Sequence, residues 1–180
     1  YLYLLGNNAV TMYRYSISAN TWTVLAPSVA RGGNFGTGGG ANWVGKSGDT
    51  ARAEENAILD GRFIYSFRGA GVSNIDRYDI ALNRWDAITY INATETFTTG
   101  SSYDYDTGRI YARKDATNRF FYYDVAGNAI RPFTRNLTPD GTAVVGDKLF
   151  TVTVVDGANE LNYIYTLQNS GALMYRMLII

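Results

Sequence analysis

The chain has 180 residues, with 16 basic and 16 acidic side chains and neither Cys nor His. The balanced charge provides no overall field to attract nucleic acid or an anionic membrane, and no apolar run reaches the length of a transmembrane helix. Without Cys and His there is no disulfide, zinc–thiolate site, Ser-His-Asp triad or imidazole base, which excludes most enzyme mechanisms and leaves no cofactor or metal site to predict.

The remaining composition favours strands and turns. The sequence contains 15 Tyr and 19 Gly, and charged residues make up 18% against a typical ~25%. Tyr and the β-branched residues favour strands, whereas Gly and Asn favour tight turns. The composition therefore predicts an all-β protein with short hairpins.

The first predicted element, at 1–26, contains a pattern that recurs along the chain. The sequence YLYLLGNNAVTMYRYSISANTWTVL runs from an aromatic strand through a Gly turn to a second strand, a polar turn with Asn, and Trp. Tyr15 precedes Trp22 by seven residues. We expect such Tyr rings to bury their apolar body between sheets while the hydroxyl reaches a backbone group or water.

A Gly-rich segment at 31–52 follows and interrupts the repeat. Within it, Gly40–Ser47 matches the phosphate-binding pattern G-x-x-x-x-G-K-[ST]. A phosphate loop needs a buried strand before it and a helix after it, but the preceding residues are mostly Gly and polar, and Gly48 is a poor start for a helix. We interpret the match as a coincidence and the segment as an inserted loop without secondary structure.

A loop of this length is usually functional or disordered. The inserted loop contains residue types that are common at binding hot spots, so we predict that it binds a partner. The predicted partner-binding residues are Arg31, Phe35, Trp43 and Lys46.

The second copy of the pattern, at 55–90, is the clearest match to the first. It contains FIYSFRGAGVSNIDRYDIALNRWDAI, in which Tyr78 again precedes Trp85 by seven residues. The pair Asp60-Gly61 predicts a hairpin turn at its start.

Two weaker copies follow, at 99–135 and 141–180. Tyr123 precedes Ile130 by seven residues, and Tyr165 is assigned the equivalent place in the last copy. Hairpin turns are predicted at Thr107-Gly108 and Gly146-Asp147. Asp104 to Gly108 also matches the opening of a calcium loop, but the later Glu ligand is missing and a hairpin turn explains the same residues.

The spacing of the copies indicates the architecture. Four strands per unit at a period of about 45 residues is typical of β-propeller blades, so we predict about four four-stranded antiparallel blades. The abrupt start favours the C-terminal part of a larger propeller, and a four-bladed ring closed by an unusual strand arrangement is the alternative. The predicted blade-core residues are Tyr15, Trp22, Tyr78, Trp85, Tyr123 and Tyr165.

The sequences YRYSISANTW and DRYDIALNRW closely resemble the kelch repeat, whose blades contain a Gly pair, a Tyr, a polar turn and a Trp. The resemblance covers nearly the whole chain outside 30–52, and it is specific in the first two copies and diffuse in the last two. It implies a kelch-type propeller that binds other proteins.

Two classes of function remain open. The first is a non-enzymatic propeller that binds protein partners or neighbouring subunits, and a homo-oligomer is compatible with it. The second is a secreted or surface propeller that binds or processes carbohydrate. The missing His and Cys favour the first. Because the Gly-, Asn-, Thr- and Tyr-rich composition resembles extracellular bacterial and bacteriophage virion proteins, we expect a virion or extracellular location and favour a structural or tail-associated component.

Overall fold

The computed structural model describes residues 1–6, 8–36, 40–44, 62–69, 72–88, 96–114, 117, 119–136, 148–167 and 174–179. These residues form fourteen strands and no helix. The strands are β1 (Leu2–Leu5), β2 (Met12–Ser16), β3 (Thr21–Leu25), β4 (Gly40–Val44), β5 (Phe63–Phe67), β6 (Ile75–Asp79), β7 (Arg84–Ala87), β8 (Phe97–Asp104), β9 (Arg109–Lys114), β10 (Arg119–Asp124), β11 (Ala129–Asn136), β12 (Lys148–Asp156), β13 (Asn159–Leu167) and β14 (Met174–Ile179).

The strands pair in chain order into four antiparallel sheets. Sheet 1 contains β1 to β3, sheet 2 contains β4 to β7, sheet 3 contains β8 to β11, and sheet 4 contains β12 to β14. Strand β8 lies beside both β4 and β12, so the first strands of sheets 2, 3 and 4 are neighbours. This is the blade arrangement of a β-propeller, and the prediction of an all-β propeller fold is confirmed.

Each sheet packs face to face on the next through a hydrophobic cluster. In the cluster between sheets 1 and 2, Met12 of sheet 1 packs with Ile64 and Tyr78 of sheet 2. Phe63 and Phe67 of β5 point to the other side of sheet 2 and belong to the cluster between sheets 2 and 3. All five residues of β5 are therefore buried, as expected for a strand covered on both faces. The cluster between sheets 3 and 4 includes Tyr111, Phe120, Leu149, Ile164 and Met177.

The segment at 31–52 is not a loop throughout, which corrects the prediction. Gly40–Val44 forms β4 and pairs with Phe63–Phe67, so the inserted segment supplies the first strand of sheet 2. The Gly residue is required here because an added Cβ at Gly40 would lie 2.6 Å from the backbone nitrogen of Ser101 in β8. Glycine, a residue that usually weakens strands, thus allows two strands to approach closely.

The assignment of the fourth copy is also wrong. Because β12 lies beside β8, β12 is the first strand of sheet 4. Tyr165 therefore lies on the second strand from this side, whereas Tyr78 and Tyr123 lie on the third strands of sheets 2 and 3. Tyr165 pairs with Arg176 across β13 and β14 and stacks on Phe150 at 5.2 Å between ring centroids. The weak sequence match had aligned this copy one strand out of place.

The turn prediction at Thr107-Gly108 is confirmed. These residues lie in the turn between β8 and β9, where Gly108 adopts a φ of +66° that favours glycine. The predicted turns at Asp60-Gly61 and Gly146-Asp147 lie outside the described residues. A further hairpin, which the sequence analysis missed, joins β12 and β13 at Gly157, with a φ of +62°.

Candidate functional site

The seven-residue spacing of the repeat is explained by one local structure. Tyr78 on β6 lies directly opposite Trp85 on β7, and its hydroxyl donates a 2.6 Å hydrogen bond to Oδ1 of Asn83 in the turn between them. Asn83 has a φ of +47°, a left-handed conformation that Asn tolerates better than most residues. Asp79 closes the turn because its Oδ1 accepts hydrogen bonds from the N–H groups of Ala81 and Leu82.

The same local structure occurs in sheets 1 and 3. The hydroxyl-to-amide hydrogen bond has a length of 2.5 Å in sheet 1 and 2.8 Å in sheet 3, and the Asn φ values are +52° and +49°. The sequence predicts a backbone group or water as the partner of the Tyr hydroxyl, whereas the acceptor seen at these three positions is a side-chain amide. The equivalent Tyr and Asn pairs are Tyr15 with Asn20 and Tyr123 with Asn128.

Sheet 1 exposes the face that contains its copy of this pair. Trp22 packs on Tyr15 at 5.0 Å between ring centroids, almost as Trp85 packs on Tyr78 at 5.2 Å. Trp22 is nevertheless 56% exposed, whereas Trp85 is 2% exposed. Sheet 1 covers Trp85, but no other described part of the chain covers Trp22.

The exposed face of sheet 1 is continuous and apolar. Its strands place Leu2 opposite Tyr15 and Trp22 in one row, and Leu4 opposite Tyr13 and Val24 in the next. The Leu and Val side chains in these rows are more than half exposed. We call this surface the outward face of sheet 1. It consists of Leu2, Leu4, Tyr13, Tyr15, Trp22 and Val24.

Arg31 is buried and does not belong to an exposed partner-binding surface, which corrects the prediction. Its Nε donates to Oδ2 of Asp76 and its Nη2 donates to Oγ of Ser66, both at 2.8 Å. Its guanidinium lies 5.1 Å from the ring centroid of Trp85 and 5.3 Å from that of Phe35. No local sequence pattern predicts this contact because Asp76 is 45 residues away.

The other three residues that the sequence predicts to bind a partner lie at separate places in the chain. Phe35 is half-buried and forms a β-bridge with Ala9, which ties the segment to sheet 1. Trp43 lies in β4 opposite Ile64. Lys46 lies outside the described residues. The structure therefore does not bring the four residues together as one exposed loop surface, and whether Trp43 and Lys46 bind a partner stays a prediction.

Asp76 is the centre of a buried charge cluster. Besides the bond from Arg31, it accepts hydrogen bonds from Nε and Nη2 of Arg68 at 2.8 and 2.7 Å. Burial lowers the pKa of Arg31, against the opposing effect of Asp76, and the hydrogen bond to Asp76 raises the pKa of Arg68. Two arginines on one carboxylate satisfy a charge that would be costly to bury alone. We interpret this cluster as structural.

A polar groove of about 320 Å³ lies between sheets 2 and 3. Arg77 donates from Nη2 to Oδ2 of Asp86 at 3.3 Å, and the ring of Tyr65 lies 5.8 Å from that of Tyr123. Burial raises the pKa of Tyr65, although Arg77 opposes this change. Aromatic rings, a carboxylate, a guanidinium and the amide of Asn128 therefore line one groove.

The two remaining sequence matches have structural explanations. Gly40–Val44, which opens the phosphate-loop match, is a paired strand, so its backbone is not arranged as a phosphate cradle. In the calcium-loop match, Oδ2 of Asp104 accepts a hydrogen bond from Thr107 at 2.6 Å, and burial raises the pKa of Asp104. Within the described ranges, no cluster of three or more acidic side chains could hold a metal ion.

Comparison with protein-family models and with curated proteins finds no match. Among solved structures, the chain is similar to one described as the crystal structure of a nidogen/laminin complex, with a TM-score of 0.50 and 13% sequence identity over 98% of this chain. The chain spans 60% of the length of that solved chain. At this identity the likeness shows the fold alone, and it agrees with the propeller architecture.

The part of the chain that the structure describes contains no helix that could span a bilayer.

Proposed function

We propose that the chain is a protein-binding β-propeller module that docks through the outward face of sheet 1. One observation supports this most directly: Tyr15 and Trp22 repeat the geometry of Tyr78 and Trp85, but only the second pair is buried. A contiguous apolar patch on a protein surface is typical of an interaction site. Its exposed Trp22 and half-buried Tyr13 and Tyr15 are residue types enriched at binding hot spots.

The finer parts of the proposal rest on sequence. The kelch type is supported by the Tyr, polar turn and Trp of the first two copies. A non-enzymatic role is supported by the lack of His and Cys, and a virion or extracellular setting by the composition. Capsid and tail genes next to the gene for this chain would support the virion setting, and a carbohydrate-active operon would count against it.

A photo-crosslinking experiment tests the docking surface. A photoreactive phenylalanine analogue replaces Trp22 in the full-length protein, expressed in its native host, and mass spectrometry identifies the products. The control places the same analogue at Leu82, which is half exposed in the turn after β6 and outside the outward face of sheet 1. We expect a discrete protein–protein product at position 22 only. Equal labelling at both positions, or none at position 22, would overturn the proposal.

The groove between sheets 2 and 3 favours carbohydrate binding as a second candidate function. Its carboxylate, guanidinium and amide are polar groups suited to hydrogen-bonding the hydroxyls of a sugar. Calorimetry against a panel of soluble oligosaccharides tests it, with Asp86→Ala as the groove variant and Asp156→Ala, at the exposed end of β12, as the control. We expect any binding to disappear only in Asp86→Ala, and a panel without binding would exclude this candidate.

A further inference from the structure

A second exposed apolar face lies on sheet 4, at the opposite end of the series of sheets from the outward face of sheet 1. The strands of sheet 4 alternate, so Leu149 and Ile164 face sheet 3 while Phe150, Leu167 and Met174 point to the opposite side. These last three are exposed. We call this surface the outward face of sheet 4. Its apolar and aromatic residues are Phe150, Val152, Val154, Leu161, Tyr163, Tyr165, Leu167, Met174 and Leu178, and the charged Lys148, Asp156 and Arg176 lie on the same side.

The two outward faces correspond to the two sides of an interface that already occurs inside the chain. The face of sheet 2 that contains Ile64, Tyr78 and Trp85 packs on the face of sheet 1 that contains Met12. The outward face of sheet 1 is equivalent to this face of sheet 2. Leu2, Tyr15 and Trp22 are paired across sheet 1 as Ile64, Tyr78 and Trp85 are paired across sheet 2. In sheets 1 to 3, one side of each sheet packs on the next sheet in the series. The outward face of sheet 4 is the corresponding side of the last sheet.

We propose that a second copy of this chain is the occupant: the outward face of sheet 4 in one copy packs on the outward face of sheet 1 in the other. This proposal rests on the proposed function, since it uses the same surface of sheet 1. The contact continues the sheet-on-sheet packing that sheets 1 to 4 already show three times. Both faces are mainly apolar and aromatic, so their burial removes hydrophobic surface from water on both sides.

The contact is head-to-tail, and this determines the form of the assembly. Because the two faces differ, each copy offers one of each, and two copies form two equivalent contacts when the ring closes. A stable interface buries on the order of 1,600 Å² in total. A closed ring of two copies forms two contacts and so buries twice the area that a single contact would.

Paired variants of the full-length protein test the proposal by light scattering after gel filtration. The sheet 1 variant is Trp22→Ser with Val24→Ser, and the sheet 4 variant is Leu167→Ser with Met174→Ser. The control is Leu82→Ser, which removes an equally exposed apolar side chain outside both faces. Circular dichroism and thermal melting show that each variant remains folded.

We expect wild type and Leu82→Ser to have twice the monomer mass at micromolar concentration, and each face variant to have the monomer mass. Mixing the two face variants restores one contact, from the intact sheet 4 face of the first to the intact sheet 1 face of the second. The mixture therefore regains the doubled mass, with weaker affinity than wild type. If either face variant alone keeps the doubled mass, the head-to-tail contact is wrong.

A wild type that stays monomeric throughout the micromolar range also overturns the second-copy proposal. The crosslinking experiment then separates the two conclusions. If position 22 of the monomeric protein crosslinks to a different protein, the docking function stands and only its occupant changes. If position 22 forms no crosslink and the protein is monomeric, both conclusions fail.

Discussion

The hydroxyl of Tyr78 donates a 2.6 Å hydrogen bond to Oδ1 of Asn83, which lies five residues later in the turn after β6 and has a left-handed backbone conformation. This bond ties the strand to its own turn. The side-chain amide of Asn83 also donates from Nδ2 to the carbonyl of Ala26, at 3.0 Å, and so links the turn to the segment that follows sheet 1. One Asn therefore fixes both a hairpin and the junction between two sheets.

Replacement of Tyr78 by Phe tests the value of the hydroxyl bond. Tyr78→Phe leaves Oδ1 of Asn83 without its donor, and we expect a loss of about 1 kcal/mol in the free energy of unfolding. Tyr15→Phe removes the same bond at a more exposed position and should cause a smaller loss, because water can replace the hydroxyl. Urea denaturation of both variants provides the comparison, and a larger loss in Tyr15→Phe would contradict it.

Trp85 and Trp22 should differ in their contribution to stability although their local geometry is alike. Trp85→Ala removes a buried ring from the cluster between sheets 1 and 2, and we expect a loss of about 3 to 5 kcal/mol. Trp22→Ala should cost about 1 kcal/mol or less in the monomeric chain, because the ring is already exposed. Chemical denaturation at a concentration too low for association checks this. Similar losses would show that another part of the protein covers Trp22 in the monomer.

Asp76 should be far more important for folding than Asp86. Asp76→Asn leaves the buried Arg31 without its charge partner and weakens both bonds from Arg68, so we expect a loss of about 3 to 5 kcal/mol. Asp86 pairs with Arg77 at 3.3 Å in a more exposed place, and Asp86→Asn should cost about 1 kcal/mol or less. Thermal unfolding of the two variants at neutral pH measures the difference. Equal melting temperatures would show that the cluster around Asp76 is not a buried ion pair network.

Gly40→Ala should separate β4 from β8. The added Cβ would lie 2.6 Å from the backbone nitrogen of Ser101, so one strand has to move, and we expect a loss of about 1 to 3 kcal/mol. Ala41→Ser, at the next and exposed position of the same strand, serves as the control and should change stability by about 0.5 kcal/mol or less. Hydrogen exchange of the β4 and β8 amides should increase in Gly40→Ala alone. Unchanged protection would contradict the close approach of the two strands.

Two carboxylates should affect stability with opposite dependence on pH. Burial opposes the ionisation of Asp79, but hydrogen bonds from Arg62 and from the N–H groups of Leu82 and Ala81 outweigh it and hold its pKa below the ordinary value of 3.8. Because the unfolded chain binds this proton more readily, stability from Asp79 is present above pH 3.8 and is lost as pH falls through the folded pKa. Asp79→Asn should therefore make stability depend less on pH in this acidic range.

Asp104 should show the reverse behaviour, since burial raises its pKa above 3.8 despite the hydrogen bond from Thr107. The folded chain binds this proton more readily, so stability falls as pH rises from 3.8 through the folded pKa. Asp104→Asn should remove this fall while Asp79→Asn preserves it. Denaturation midpoints measured between pH 3 and neutral pH compare the two variants, and a common direction of change would contradict the assignment.

The strand-rich fold and the repeating hairpin were predictable from the amino-acid sequence. The spacing from Tyr78 to Trp85 was visible because all the interactions that form it lie within seven residues: a cross-strand pair, a left-handed Asn and an Asp that closes the turn. Local interactions of this kind leave a pattern in the sequence. The copy in sheet 4 lacks the pattern, and there the sequence assigned Tyr165 to the wrong strand.

Which members of the repeat are buried, and how the Gly-rich segment is used, depends on contacts between distant parts of the chain. Trp22 and Trp85 share a local sequence pattern and have similar ring geometry, yet their exposure differs because only Trp85 has a sheet packed over it. Arg31 is charge-paired inside the protein by a carboxylate 45 residues away, and residue 40 is glycine because Ser101, 61 residues away, leaves no room for a side chain. Such contacts between distant residues form only when whole sheets stack, so a local pattern cannot predict them.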